Sequence, residues 1–304
     1  MIQESRARPA VRSAPIQSSL IRLLEVAGPH AGLLHKMRAM KSDASYQLPN
    51  GMQISYTNRN EAAYLYDEIF EQRQYVPTDY VMPDRPVVVD VGANVGLFAL
   101  FALTEFQSAH VVCMEPFTQL YHILNSNVSR FPAAQALRVA AGRTRETATF
   151  TYYPKYSMMS GRYCDEARDL ARAKKYARWE MRDQSKEGID DFEGMLDALL
   201  KPRFQSFREE VEIWPLSLVI ERCQLQSVDL LKIDVEGSEL EVLEGINHED
   251  WEKIGCIIIE VDDVAGRLSA ITSLLMSHDM ECKTSQFEAY SDDTLHLIQA
   301  SQRQ

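Results

Sequence analysis

Apolar positions along the chain follow two rhythms, and the change falls near Pro86. Upstream, residues 1–18 are rich in Ser, Arg, Pro and Gln and carry no apolar period, so a loose segment is expected. Leu20, Leu23, Leu24, Leu33, Leu34 and Met37 then recur at helical spacing, broken by Gly28-Pro29, which predicts two short helices. YQLPNGMQISY sets an N-G turn between short alternating runs, the signal of a hairpin. NEAAYLYDEIFEQRQYV predicts a helix with Tyr64, Ile69 and Phe70 available for packing. These segments divide into a loose N-terminal part, 1–45, and a hairpin and helix cap, 46–85.

From Pro86 onward, continuous apolar runs alternate with helical ones. PVVVDVG, HVVCMEP, QALRVAA, DLLKIDV and CIIIEVDD read as buried strands. VGLFALFAL, FTQLYHILNSNV, GSELEVLEGI and GRLSAITSLLMSH read as the helices between and after them. Strands without polar alternation belong to a parallel sheet covered on both faces, so the expected fold is a doubly wound, Rossmann-like α/β domain over 86–304. One break interrupts the rhythm, at 155–208, between TATFTYYP and EEVEIWPLSLVIERC. Structureless loops of that length are uncommon in compact domains, so a helical lid insertion over the sheet's carboxyl edge is expected.

Composition narrows the function classes. With 304 residues, 45% of them hydrophobic, the chain can bury a large core. A formal charge of −12 and the lack of a basic, aromatic-rich segment argue against nucleic acid and anionic membranes as partners. The five cysteines are widely spaced and never form a C-x-x-C pair, which favours a reducing compartment and argues against structural zinc. No apolar run approaches a membrane span, and the polar, Arg-bearing N-terminus is unlike a signal peptide, so a cytoplasmic protein is expected.

Candidate chemistry begins at VVVDVGANVGLFALF, where Asp90, Gly92, Asn94 and Gly96 fall on a strand-to-helix turn. Glycine there admits backbone angles closed to other residues and lets the chain approach a ligand. Glu115, in MEPF, ends the next strand roughly 20 residues on, the place for an acid that hydrogen-bonds a ribose diol. A dinucleotide and S-adenosylmethionine both use that arrangement. G-A-N-V-G lacks the middle glycine that makes room for a pyrophosphate, and Asp90 suits a ligand bearing an ammonium and a sulfonium, so S-adenosylmethionine is the better match.

With these features in view, the sequence resembles the FkbM family of S-adenosylmethionine-dependent methyltransferases. Lys232 to Gly245 reproduce its K-I-D-V-E-G-x-E-x-x-V-L-x-G stretch, and the likeness spans roughly residues 47 to 300. LPNGMQISYTNRNEAAYLYDEIF, YPKYSMMSGRY and IIIEVDD-x-x-GRL look most similar to the O-methyltransferase modules of polyketide synthases. The resemblance implies a seven-stranded sheet whose last strand is antiparallel, supplied by SDDTLHLIQA. It implies that Asp90, Gly92, Asn94 and Gly96 line the methionine and ribose part of the cofactor, that Glu115 takes the ribose hydroxyls and that residues near Ala140 flank the adenine. The unit standing alone, it further implies a tailoring enzyme that methylates a hydroxyl of a polyketide- or terpenoid-type metabolite, free or carrier-bound. In the polyketide-associated relatives a histidine base is expected where this chain has Asp262.

Methyl transfer from a sulfonium is an in-line displacement, so the protein holds the acceptor, excludes water and manages one proton. A base contributes about 10²–10⁴-fold to attack by an aliphatic hydroxyl. Asp234 and Glu236 end one strand and Asp262 and Asp263 the next, and crowded carboxylates raise one another's pKa. Asp262 assisted by Glu236 is therefore the expected base, with Asp234 beside them. A carboxylic acid acceptor needing no base ranks second, and carboxylates holding a divalent metal third. Ser238 and Glu241 fit a capping box, leaving Glu241 a structural role, and Glu244 a solvated one. Tyr156, Met159 and Tyr163 are the expected apolar wall of the acceptor site. A nicotinamide-dependent oxidoreductase and a non-catalytic cofactor-binding relative are the rival classes.

Overall fold

A computed structural model describes residues 45–180, 191–286 and 295–302. The two helices expected between Leu20 and Met37 lie outside the described residues. Strands β3 (Val87–Val91), β4 (His110–Met114), β5 (Ala134–Leu137), β9 (Leu230–Ile233), β10 (Cys256–Asp262), β11 (Met280–Gln286) and β12 (Leu295–Gln302) form one seven-stranded sheet. Its order is β11-β12-β10-β9-β3-β4-β5. The central pairings are parallel, whereas β12 runs antiparallel to both β10 and β11. The reversed last strand overlaps the stretch expected to supply it, starting at Leu295 and running two residues past its end.

Side-chain alternation along each strand splits the core into two faces. Val88, Val111, Leu230 and Ile258 pack on one side with the helices α2 (Leu97–Glu105), whose first six residues are all buried, and α3 (Thr118–Val128). Val89, Val112, Leu231, Ile257 and Ile259 pack on the other with Leu216, Val219, Ile220, Ile271 and Leu275 from the later helices. Because both faces are covered, no position on the central strands can face solvent, which is why their sequences show no polar alternation.

A second sheet was not foreseen. QALRVAA is not one strand: β5 ends at Leu137, and β6 (Ala140–Ala141) leaves the main sheet to pair in parallel with β8 (Phe207–Trp214). β7 (Glu146–Tyr152) pairs antiparallel with β8, giving the order β6-β8-β7. From β7 the chain runs into the helices α4 (Glu166–Glu180) and α5 (Phe192–Leu200), which have a small core of their own around Tyr153, Met159, Ala177, Leu196 and Phe204.

The hairpin β1 (Ser45–Gln47) and β2 (Gln53–Ser55) closes through Asn50-Gly51, with Gly51 at φ 86. Helix α1 (Arg59–Tyr66) is capped by Asn58, whose side chain accepts from Asn60 N at 3.0 Å. It then widens into a single π turn, Asp67–Glu71, which buries Glu68 and Ile69 against the domain. Among the described residues no helix is long and apolar enough to cross a membrane.

Candidate active site

The carboxyl ends of β3, β4, β9 and β10 open into one cavity, covered by the π turn, by residues 156–161 and by α4. Its first half is built on the glycine turn. Gly92 and Ala93 both donate their N–H to the carbonyl of Met114, at 3.1 and 3.0 Å, tying the turn to the end of β4. Asn94, in left-handed backbone at φ 49, donates its N–H to Glu115 Oε2 at 2.9 Å, and Phe117 N donates to Oε1 at 2.9 Å. Each oxygen of Glu115 keeps a second lone pair, and the side chain lines the cavity. Burial pushes its carboxyl up to about 8, against the two backbone donors that favour the ionised form. Beyond it, Phe117, Leu120, Val139, Ala140 and Phe150 make an apolar slot.

Gly92 and Asn94 thus line the cavity, while Asp90 and Gly96 do not. Asp90 is fully buried beneath the turn with its Oδ1 3.4 Å from Lys232 Nζ. Gly96 sits at φ 89, and a Cβ there would meet Leu124 Cδ1 at 2.7 Å, so its glycine serves helix packing. Gly92 has a similar constraint on the other side: a Cβ would overlap the carbonyl oxygen of Asp234. Its missing side chain lets β3 lie close to β9 rather than making room for a ligand.

The second half of the cavity is acidic. Asp234 and Glu236 line it, and Glu236 adopts a left-handed φ of 51 just before Gly237 at φ 100. A non-glycine residue in that region costs energy and persists only where its surroundings impose it, which is common at functional sites. Arg172, from α4, donates to Glu236 Oε2 at 3.2 Å and lies 3.9 Å from Asp262 Oδ2. Burial, joined by Asp234, Asp169 and Asp262 and opposed by Arg172, pushes Glu236 up to about 7.

Lys232 lies beneath this group. Its Nζ stands 3.2 Å from Asp234 Oδ2 and within 5.2 Å of the Tyr75 ring centre. Burial works against its charge, but Asp234 and Asp90 outweigh burial and hold the ammonium above the usual lysine range.

The remaining expected residues divide. Tyr156 and Met159 line the cavity. Tyr163 is 43% exposed outside it, its hydroxyl donating to Glu241 Oε1 at 3.1 Å. Asp262 ends β10 beside Arg172 but is not part of the lining; Glu260, two residues earlier on the same strand face, is. Tyr75 donates its hydroxyl to Glu260 Oε2 at 3.1 Å, and burial together with Asp234 and Glu68 holds Glu260 well above the usual range.

The capping box is not formed. Ser238 has φ −112 and ψ 16, outside the extended conformation that aims a cap side chain back at the helix, and its buried Oγ makes no hydrogen bond among the described residues. Glu239 replaces it, accepting from Gly237 N at 2.6 Å with its other oxygen 3.6 Å from Arg267 Nη1.

Sheet order, reversed last strand and glycine turn together define a nucleotide-type α/β domain of the methyltransferase kind. The family model for the methyltransferase FkbM domain matches residues 90–282, and the chain belongs to that family. It is 32% identical to 31-O-demethyl-FK506 methyltransferase FkbM of Streptomyces tacrolimicus over 257 residues, 84% of this chain and 95% of that protein. It is 33% identical over 252 residues to the AMB antimetabolite synthetase AmbE of Pseudomonas aeruginosa, 79% of this chain but 12% of that much longer protein. Methyltransferase sdnD of Sordaria araneosa is 29% identical over 246 residues, covering 79% of this chain and 90% of sdnD.

Proposed function

We propose that this methyltransferase transfers a methyl group from S-adenosylmethionine to a hydroxyl oxygen of a polyketide- or terpenoid-type metabolite, free or carrier-bound, in the cytoplasm. The observation that carries the reading is Glu236, a half-buried, cavity-lining carboxyl pushed up to about 7 in left-handed backbone, just past the end of β9 and one strand from the glycine turn. A base working near neutral pH needs a pKa of that order. The relative named as acting on 31-O-demethyl-FK506 supports oxygen as the acceptor atom.

The residues present fit the cofactor. The two free lone pairs of Glu115 match the two hydroxyls of a ribose diol, and the slot of Phe117, Leu120, Val139, Ala140 and Phe150 matches a flat, apolar base. When bound, S-adenosylmethionine supplies an electrophilic methyl group on a sulfonium. Tyr156, Met159 and α4 exclude water from that end of the cavity. Glu236 Oε accepts the acceptor's hydroxyl proton as the oxygen attacks, and Arg172 keeps the resulting charge pattern balanced against Asp262. Lys232 donates to Asp234 Oδ2 at 3.2 Å and so fixes the position of that side chain at the methyl-donor end.

Thermal shift with S-adenosylhomocysteine against NAD tests the cofactor: stabilisation by NAD alone would sink the reading. Mass spectrometry of products from a host carrying the neighbouring pathway identifies the acceptor. Methyl transfer to a hydroxyl that survived intact in both Glu236→Gln and Asp262→Asn would remove the assigned base.

A further inference from the structure

The cavity continues past the position assigned to methyl transfer. Along the sheet, the diol acid Glu115 lies at the end of β4, then come β3, β9 and β10 in turn. With strands about 4.8 Å apart, β10 stands roughly 14 Å from β4, beyond the reach of the nucleoside. Glu260 projects into the cavity from there, and the π turn Asp67–Glu71 brings Glu68 in. Single π turns inside helices recur at functional sites because they redirect one side chain.

Glu68 is 6% exposed, yet its carboxylate takes no hydrogen bond and no ion pair among the described residues. The two nearby cations make their ion pairs elsewhere, buried Lys232 with Asp90 and Asp234 and half-buried Arg172 with Glu236 and Asp262, and reach Glu68 and Glu260 only through space. Three tyrosines, Tyr64, Tyr75 and Tyr176, line the same part, and the rings of Tyr64 and Tyr176 meet edge to face at 6.2 Å. Buried acids among aromatic faces are the chemistry that recognises an ammonium group. A divalent metal fits less well, since no three His, Cys, Asp or Glu groups among the described residues converge as ligands.

We propose that Glu68 and Glu260 form an ammonium subsite and that the methyl acceptor carries a protonated amine alongside its hydroxyl. The proposal rests on the methyl-transfer reading of this site. Burial and the nearby Asp234 push Glu68 up to about 8, against the more distant Lys232, so at pH 7 its carboxyl holds a proton until a ligand cation arrives; burial and Asp234 raise Glu260 as well. An arriving ammonium keeps its own proton and displaces the carboxyl's into solvent, leaving a carboxylate paired with a cation.

The test uses the full chain saturated with S-adenosylhomocysteine and titrated calorimetrically at pH 7 with n-hexylammonium chloride or hexan-1-ol. The ammonium is expected to bind at least about tenfold more tightly than the alcohol, a charge-assisted preference. In Glu68→Gln that preference is expected to disappear while S-adenosylhomocysteine binds as before. Repeating the wild-type titration in buffers of different ionisation enthalpy should report about one proton released, a readout that needs no variant. Equal binding of the two probes, or binding of neither, overturns the proposal. So does a Glu68→Gln variant that loses S-adenosylhomocysteine but keeps the amine preference, because the acid would then serve the cofactor. Failure of S-adenosylhomocysteine to bind the wild type is a separate result and strikes the methyl-transfer reading itself.

Discussion

Replacing Gly92 by alanine separates a glycine that serves the protein from one that serves a ligand. The turn is clamped on two sides, by N–H donation from Gly92 and Ala93 to Met114 O and by donation from Asp234 N to Val91 O at 3.1 Å. A Cβ at position 92 would overlap the Asp234 carbonyl oxygen and reach its carbon at 2.9 Å, and both are backbone atoms that no rotamer change can move. Left-handed backbone costs a non-glycine residue roughly 1–2 kcal/mol, and forced separation of packed backbone typically adds about 1–3 kcal/mol. A loss of about 3 kcal/mol corresponds to a fall in Tm of roughly 6–12 °C for a domain of this order of size. Gly96→Ala is the control: it shares the left-handed φ, but its Cβ meets the tip of Leu124, which can turn aside. Its cost is expected to stop at the backbone term of roughly 1–2 kcal/mol. Scanning calorimetry gives both Tm values, and titration with S-adenosylhomocysteine gives the affinities. Gly92→Ala should weaken binding about tenfold or more because Asp234 and Asn94 shift with the turn, and Gly96→Ala by about twofold or less. A Gly92→Ala protein with wild-type Tm, or two variants losing affinity equally, would refute the clamp.

Three further outcomes follow from the carboxyl groups. Because a ribose diol donates to ionised Glu115, and the free side chain holds its proton up to about 8, affinity for S-adenosylhomocysteine should rise by up to about tenfold per pH unit from pH 6 and level off above pH 8; calorimetry across that range checks it, and Glu115→Gln should flatten the slope. Glu61, Glu236 and Glu239 are all pushed by burial up to about 7, so their contribution to stability is fully present below the usual glutamate value and is lost as pH rises through 7. The ligand-free protein should therefore melt higher at pH 5.5 than at pH 8 in a fluorimetric scan, since exposed carboxylates such as Asp79, held low by Lys283, stay ionised over that window. Arg172→Met removes a cation that holds Glu236 down, so the acid limb of the pH–rate profile should move to higher pH; an unmoved limb would show that Glu236 is not the titrating base.

What could be read from the sequence was whatever depends on local pattern. Continuous runs such as VVVDV and CIIIEVD have one stable home, a strand buried on both faces, and the glycine turn with Glu115 one strand later is a local signature. The side sheet was hidden because β6 is two residues long and its partner lies beyond the lid, so no periodicity announces it. Two missed residues did leave a signal: Lys232 and Glu260 are lone charges inside apolar strands, positions that demand partners. Glu68 left none, because Asp67-Glu68 before Ile69-Phe70 reads like any solvated helix face, and only the π turn buries it. Arg172 was equally indistinguishable within the charged helix EARDLARAKKYARWE. Ser238 failed for a converse reason: its spacing to Glu241 satisfies a capping box, but the left-handed pair Glu236-Gly237 ahead of it changes how the chain enters the helix.

The resemblance leads one to expect a histidine where Asp262 stands, and the exchange alters the charge balance rather than only the identity of the base. A histidine that gives up its proton is neutral, so it can sit beside Glu236 without repulsion. An aspartate at the same place adds a negative charge next to one that is already desolvated, and Asp262 does contribute to raising Glu236. Two neighbouring, half-buried carboxylates are stabilised by a cation between them. Arg172 supplies it, and Arg172 belongs to α4 in the lid rather than to the sheet. In the mechanism proposed above, the competence of Glu236 as base is therefore tied to the seating of α4: Arg172 holds its pKa down to about 7, and without that contact burial and Asp262 push the group further toward its protonated form. That coupling gives a carboxylate-based site something a histidine-based one lacks, a base that is tuned by the same contact that closes the cavity to water.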